Sequence, residues 1–190
     1  MLIISGFISP ICFWYIDYFL ITYLGSKQKI YIPDAHCTIN ELDLQTPDEY
    51  TYTYLEDKGL CAAKQGRLQF WVKASNDVHI NLADTKDNDN TIEIVIGGWG
   101  NSKSVIRFAR RGVNKKEASG SRLSVDEYRP FWITWTGGEV KVGAGTEIGA
   151  NVFLKAKSSQ EVNHVGVATA FGSGGNWAFG KGMLNCGIFK

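Results

Sequence analysis

Three groups of residues in this 190-residue chain have the types and spacing for chemistry. The first is glycine-rich: GGWGNSKS (97–104) sets glycines beside Asn, Ser and Lys, the composition of a phosphate cradle. A dinucleotide fingerprint needs G-x-G-x-x-G where a strand enters a helix, because the helix N-terminus supplies free N–H groups and a positive dipole. Here Gly98-Trp99-Gly100 is followed by Lys103 at the third-glycine position and then by the apolar SVIRF. Downstream, GNWAFGKG (175–182) fits G-x-x-x-x-G-K but puts Gly182 where a Ser or Thr must ligate magnesium. Both stretches are therefore expected to be glycine-rich turns between strands. The second group is basic. RFARRGVNKK places Arg107, Arg110, Arg111, Lys115 and Lys116 within ten residues with no acid among them. Such a patch can grip sulfate, phosphate or carboxylate, or be a solvated hairpin. The third group is aromatic. Trp71 falls on the polar side of its run, Trp99 sits in the glycine loop, and Trp177 follows GSGGN. Tryptophan beside Asn and Gly is a platform for stacking a sugar ring, which makes Trp99, Asn101, Asn176 and Trp177 the candidate ligand-binding residues; alternatively Trp99 folds back to cap the end of the domain. Phe131 and Trp135 are assigned to the core.

Other chemistry finds less support. His36, His79 and His164 show no HxxxH or HxH spacing, so no metal site is expected, and lone strand histidines are read as surface or satisfied residues. Asp84, Asp87 and Asp89 in DTKDNDN could reach calcium through oxygen, but the loop lacks the glycine and distal glutamate of an EF-hand and reads as a hairpin tip. No G-x-S-x-G elbow occurs, and Glu93 and Glu139 show no paired-carboxylate spacing. No catalytic residue is assigned and no cofactor is expected. Twenty Lys and Arg against 19 Asp and Glu give no hint of a nucleic-acid partner.

The elements that must position these residues are set by a period of two. In RLQFWVKA (67–74), Leu68, Phe70, Val72 and Ala74 alternate with Arg67, Gln69, Trp71 and Lys73, the pattern of a half-buried strand. DVHINLA, TIEIVI, RPFWITW and HVGVATAF repeat it, separated by Ser75-Asn76-Asp77, DTKDNDN, GGWGNS, Gly137-Gly138 and GSGGN. No amphipathic helical pattern separates them, as a parallel sheet would need. The expected fold is all-β: one antiparallel β-sandwich, jelly-roll-like, preceded by an apolar N-terminal segment. Residues 2–24 are apolar apart from Ser5, Ser9, Pro10 and Asp17. They read as a signal or anchor, an extra buried element, or a wrongly assigned start; the basic start and A-x-A-like exit of a signal are missing, and Asp17 would be costly in mid-bilayer. The partition is 1–26 signal- or anchor-like, 27–36 linker and 37–190 sandwich. A secreted or membrane-anchored location is favoured, a cytoplasmic one if the start is wrong, with membrane contact only through residues 2–24. Cys37, Cys61 and Cys186 are either buried thiols or one disulfide plus a free thiol.

The succession ELDLQTPDEYTYTYL (41–55), FWVKASNDVHINLA (70–83), EIVIGGWGNSKSVIRF (93–108), DEYRPFWITWTGGEVKVGAG (126–145) and HVGVATAFGSGGNWAF (164–179) resembles the farnesoic acid O-methyltransferase-like domain of insects and crustaceans. The resemblance covers about residues 37–180 and is most specific in the GGWGN-SKS-IR and FWI-W-GG-V-VG blocks. It implies a β-sandwich and, by the family name, methyl transfer from S-adenosylmethionine to a terpenoid acid in juvenile-hormone synthesis. In that case Arg107 or Arg111 would pair the farnesoate carboxylate while Phe131 or Trp135 lined an isoprenoid channel. The residues themselves supply no such cofactor site. The favoured expectation is a noncatalytic ligand-recognition module for a carbohydrate or another small polar ligand. Behind it stand the S-adenosylmethionine-dependent methyltransferase and a structural domain with a protein partner.

Overall fold

The computed structural model describes residues 39–180. They form twelve strands: β1 (Leu42–Thr46), β2 (Glu49–Tyr54), β3 (Arg67–Ala74), β4 (Val78–Ala83), β5 (Ile92–Gly97), β6 (Lys103–Arg107), β7 (Asn114–Ser119), β8 (Arg129–Thr134), β9 (Glu139–Ala144), β10 (Val152–Lys157), β11 (His164–Thr169) and β12 (Gly175–Phe179). The first sheet has the order β1-β12-β3-β8-β9-β10 and the second β11-β4-β5-β6-β7. Every pairing between neighbours in either sheet is antiparallel. The expected jelly-roll-like antiparallel sandwich is the fold, and the described residues contain no helix longer than one turn. The apolar first segment, the linker, His36, Cys37, Cys186 and residues 181–190 lie outside the described residues.

Alternation builds the core. Leu68, Phe70 and Val72 of β3, with Phe131, Ile133, Val142, Trp177 and Phe179, face Ile80, Leu82, Ile92, Ile94, Ile106, Val165 and Val167 of the second sheet, and all are buried. Each large aliphatic residue so placed stabilises the fold by roughly 1.5–3 kcal/mol. Of the two aromatics expected in this core, Phe131 is there, whereas Trp135 is only partly buried at its margin. Trp132, on the outward side of the same strand, is fully buried instead. Its ring lies over Gly143, its cross-strand partner, and its indole N–H donates to the Ala150 carbonyl at 3.1 Å, so the 145–151 loop roofs it.

A larger departure from simple alternation governs function. β4 and β5 are buried at every position, although their sequences alternate apolar with polar. Their outward residues, including His79, Asn81 and Glu93, are covered because β2 runs beside β11, tied by the Leu55 N–H to the Val165 carbonyl at 2.9 Å. β2 thereby lays Tyr52 and Tyr54 over the small residues Gly166 and Ala168. A glycine at 166 leaves the room these rings fill; a Cβ there would stand 3.1 Å from Tyr52 Cβ.

The first glycine stretch is the expected turn between strands, whereas the second, also expected to be a turn, is mostly strand. The chain reverses between β5 and β6 through Gly97, Trp99, Gly100 and Asn101, all in the left-handed region, at φ 64°, 53°, 65° and 60°. It then enters β6 directly, so no helix dipole points at this turn. GNWAF of the downstream near-match is β12, inside the first sheet between β1 and β3.

Candidate functional site

The covered face of the second sheet carries a buried carboxylate, Glu93, that is not exposed at all. Its Oε1 accepts from the Tyr50 hydroxyl and from the Tyr52 hydroxyl at 3.0 Å, and faces His79 Nδ1 at 3.3 Å. Its Oε2 accepts from Arg107 Nη1 at 3.0 Å and from the Arg111 backbone N–H at 2.9 Å. Burial pushes the Glu93 pKa up, but the hydrogen bonds from His79, Tyr50 and Arg107 outweigh it and hold the carboxyl down at about 2. Burial and the same carboxylate push Tyr50 up to about 12 and Tyr52 well above the ordinary phenol value. The phenols are therefore donors, and an ionised carboxylate is acceptor-only. Hence His79 donates to Glu93 through its Nδ1–H.

That Nε2 has no hydrogen-bond partner, in a residue only 2% exposed. It sits at a cleft of about 330 Å³ lined by Asp77, His79, Val95, Trp99, Arg107, Arg111 and Phe171. Asp77 Oδ1 is 3.9 Å from Nε2, beyond hydrogen-bonding reach. Trp99 and Phe171 stand at the mouth, 47% and 57% exposed. Arg107 lies 5.3 Å and Lys103 4.0 Å from the Trp99 ring centre, while the Arg111 guanidinium spans Tyr50 at 4.3 Å and Phe171 at 5.4 Å. Six elements meet here: the β3–β4 turn, the inner strands β4 and β5, the β5–β6 turn, β6 with its exit, and the β11–β12 connection. Asn76 ties the first to the last, donating to Asp77 Oδ2 at 2.7 Å and to the Phe171 carbonyl at 3.1 Å.

Backbone conformation marks the same place. Seven non-glycine residues among those described have positive φ. Four of them, Asp77 (49°), Trp99 (53°), Arg111 (52°) and Phe171 (60°), line this one cleft. The left-handed region costs a bulky L-residue on the order of 1–2 kcal/mol, and such strain persists where the surrounding structure enforces it, commonly at functional sites.

Residues 48–183 match the family described as farnesoic acid O-methyl transferase. The chain belongs to this family. It is also similar to Uncharacterized protein 5 of Haliotis asinina, 30% identical over 118 residues that make up 61% of this chain and 68% of that protein. Solved structures similar to this family member include Caenorhabditis elegans galectin LEC-6, at 13% identity and TM-score 0.45 over 72% of this chain and 94% of that one. Bacillus licheniformis beta-glucanase is similar at 12% identity and TM-score 0.43, over 73% and 77% of the two chains. Ruminococcus gnavus IT-sialidase CBM40, solved bound to alpha2,3 sialyllactose, is similar at 14% identity and TM-score 0.41, over 72% and 90%.

In this farnesoic acid O-methyl transferase family domain the sequence candidates scatter. Trp99, Arg107 and Arg111 meet in the cleft. Asn101 is a clip: its Oδ1 accepts from the Arg122 and Leu123 N–H groups at 3.0 and 3.1 Å, and its Nδ2 donates to the Leu123 carbonyl at 3.0 Å. Trp177, expected on the ligand surface, is a core residue, only 1% exposed, packed against Phe70 and Phe179 with its indole N–H donated to Thr46 Oγ1 at 2.8 Å. The pleat decides this, since Trp177 alternates with Asn176 along β12. Asn176 faces a different hollow, on the first sheet, beside Trp71, Tyr128, Asp43 and Gln45. The basic cluster divides too. Arg107 is paired with Glu93, Arg110 meets Asp87 at 3.5 Å and covers Tyr52, and Lys115 and Lys116 lie exposed on the edge strand β7. His79, Asp77, Glu93 and Phe171 went unrecognised as site residues. The available signal was polar residues in otherwise apolar strands: His79 and Asn81 in DVHINLA, Glu93 in TIEIVI.

Proposed function

We propose that this domain is a noncatalytic ligand-recognition module that holds a carbohydrate, or another small polar ligand, between Trp99 and Phe171. The observation that carries this reading is His79 Nε2, a buried polar atom without a partner at the floor of an open cleft. Such an atom costs roughly 1–3 kcal/mol unless something hydrogen-bonds it, and a ligand hydroxyl would. The strained backbone beneath both aromatics supports the same reading, as does the suitability of aromatic faces for the C–H faces of a sugar ring.

The family name points instead to S-adenosylmethionine. The usual methyltransferase holds that cofactor at the carboxyl ends of parallel strands, beside a strand-to-helix turn. Among the described residues both sheets are antiparallel and the glycine turn runs into a strand, so no residues fitting that arrangement stand here. Calorimetric titration of the full chain with an oligosaccharide panel and with S-adenosylmethionine separates the alternatives. Saturable heat is expected from a carbohydrate, lost in Trp99→Ala. Saturable heat from S-adenosylmethionine would overturn the noncatalytic reading, and silence from both would leave a protein-interaction role. A secreted or anchored location is part of the proposal, supported by the disulfide at Cys61, a bond that persists in oxidising compartments.

A further inference from the structure

We infer that the hollow between the β7–β8 connection, the start of β8 and the end of β9 is a second ligand site, one that takes an oxyanion group (sulfate, phosphate or carboxylate) on Arg122 and Arg129. Three arginines are half-buried among the described residues: Arg107, Arg110 and Arg122. The first two meet carboxylates, Glu93 at 3.0 Å and Asp87 at 3.5 Å. Arg122 meets none among the described residues, and its buried Nε has no hydrogen-bond acceptor. Burial pushes its pKa down with no neighbouring acid to oppose the shift. A guanidinium keeps its charge regardless. The fold therefore holds a partly desolvated cation without a counter-charge, a cost that an anion beside it relieves.

The site is built in advance. The Arg122 backbone N–H donates to Asn101 Oδ1 at 3.0 Å, its Nη2 donates to the Ser119 carbonyl at 3.3 Å, and its guanidinium lies 3.8 Å from the centre of the Phe153 ring. A side chain already held this way loses little rotamer freedom when a ligand arrives. The hollow it lines, of about 300 Å³, also carries Arg129 and Ser121 on its walls and no acid. Arg129 pairs with Glu127 at 2.9 Å, but both are exposed, and such a pair yields to a competing charge at small cost. Arginine forks match oxyanions in geometry as well as charge. No residue lining this hollow lines the Trp99 cleft, so the inference does not rest on the carbohydrate reading.

The test follows thermal melting of the full chain in sodium sulfate, phosphate or acetate against sodium chloride at equal ionic strength, and with a heparin disaccharide. Sulfate stabilises proteins in general by exclusion from their surface, so the deciding quantity is the difference between the unsubstituted protein and its variants. A saturable rise in melting point is expected with at least one oxyanion, weakened about tenfold in Arg129→Gln and abolished in Arg122→Met. Without an oxyanion, Arg122→Met should melt no lower than the unsubstituted protein, because the methionine still covers Phe153 while an uncompensated cation is gone; a purely structural arginine would show the reverse. Arg129→Gln, an exposed substitution, keeps the test decisive should Arg122→Met fold poorly. Tighter binding of the heparin disaccharide than of inorganic sulfate assigns the group to a glycan, and equal or weaker binding assigns a free ion. Equal rises in all three proteins, a rise lost in Trp99→Ala but not in the arginine variants, or no response to any oxyanion would each overturn the inference.

Discussion

Glu93 is the residue around which the covered face is organised. A bare carboxylate in this position would cost several kcal/mol, and it is tolerated because five donors converge on its two oxygens. Its pKa of about 2 lies below the ordinary 4.5, so the folded state binds its proton less readily than the unfolded chain. The stability this represents is fully present above pH 4.5 and is lost as the pH falls through about 2. The shift corresponds to about 3 kcal/mol. Denaturant unfolding across that acid range should show the decline, and Glu93→Gln should be less stable at neutral pH with a flatter acid slope. Tyr50 behaves oppositely at high pH. Its contribution holds below the ordinary phenol pKa of 10 and disappears toward 12, so an ultraviolet titration should show its phenol ionising late. For Trp99 the backbone separates two roles. Trp99→Gly and Trp99→Ala both remove the ring, but only glycine is relaxed at φ 53°, so the Gly variant should be more stable than the Ala variant by about 1 kcal/mol in denaturant unfolding.

Among the elements, β3 was legible residue for residue: RLQFWVKA is the strand, and its apolar set is the buried set. Alternation was enough there because the two faces of β3 meet different solvents. The same reasoning made β4 and β5 strands but left their polar side open to water, since nothing local in VHINLA or IEIVIG says that β2 tyrosines will cover it. Trp132 hides for a similar reason. Its burial depends on Gly143, across the strand pair, having no side chain. A Cβ at 143 would fall 2.2 Å from Trp132 Cζ2, with the flat ring unable to step aside. Gly143→Ala should therefore destabilise the fold by about 1–3 kcal/mol in chemical denaturation. At the edge of the second sheet, exposed Lys115 and Lys116 on β7 suit the charged border that keeps an edge strand from pairing with another copy.

Taken together, the described residues form a two-sheet frame whose candidate cleft is made largely of connections. None of the turns that carry Asp77, Trp99, Arg111 and Phe171 could build the cleft alone, because each supplies one wall and borrows the floor from β4 and β5. Cys61, between β2 and β3, is disulfide-bonded. Cys61→Ser is expected to lower stability by about 2–4 kcal/mol, and reductant should bring the unsubstituted protein down to the same melting point.

By itself the sequence determined the period-two strands, the glycine reversals and the absence of a dinucleotide turn, because these depend on neighbours one to five residues apart. It also brought Trp99, Arg107 and Arg111 to notice through residue type. Only the tertiary structure decided that Trp177 turns inward, that Asn101 serves a loop, and that His79, Glu93 and Phe171 join a site with Asp77. Those outcomes depend on which strand covers which face and on pairings more than a hundred residues apart, such as β1 with β12, and local spacing carries no record of them.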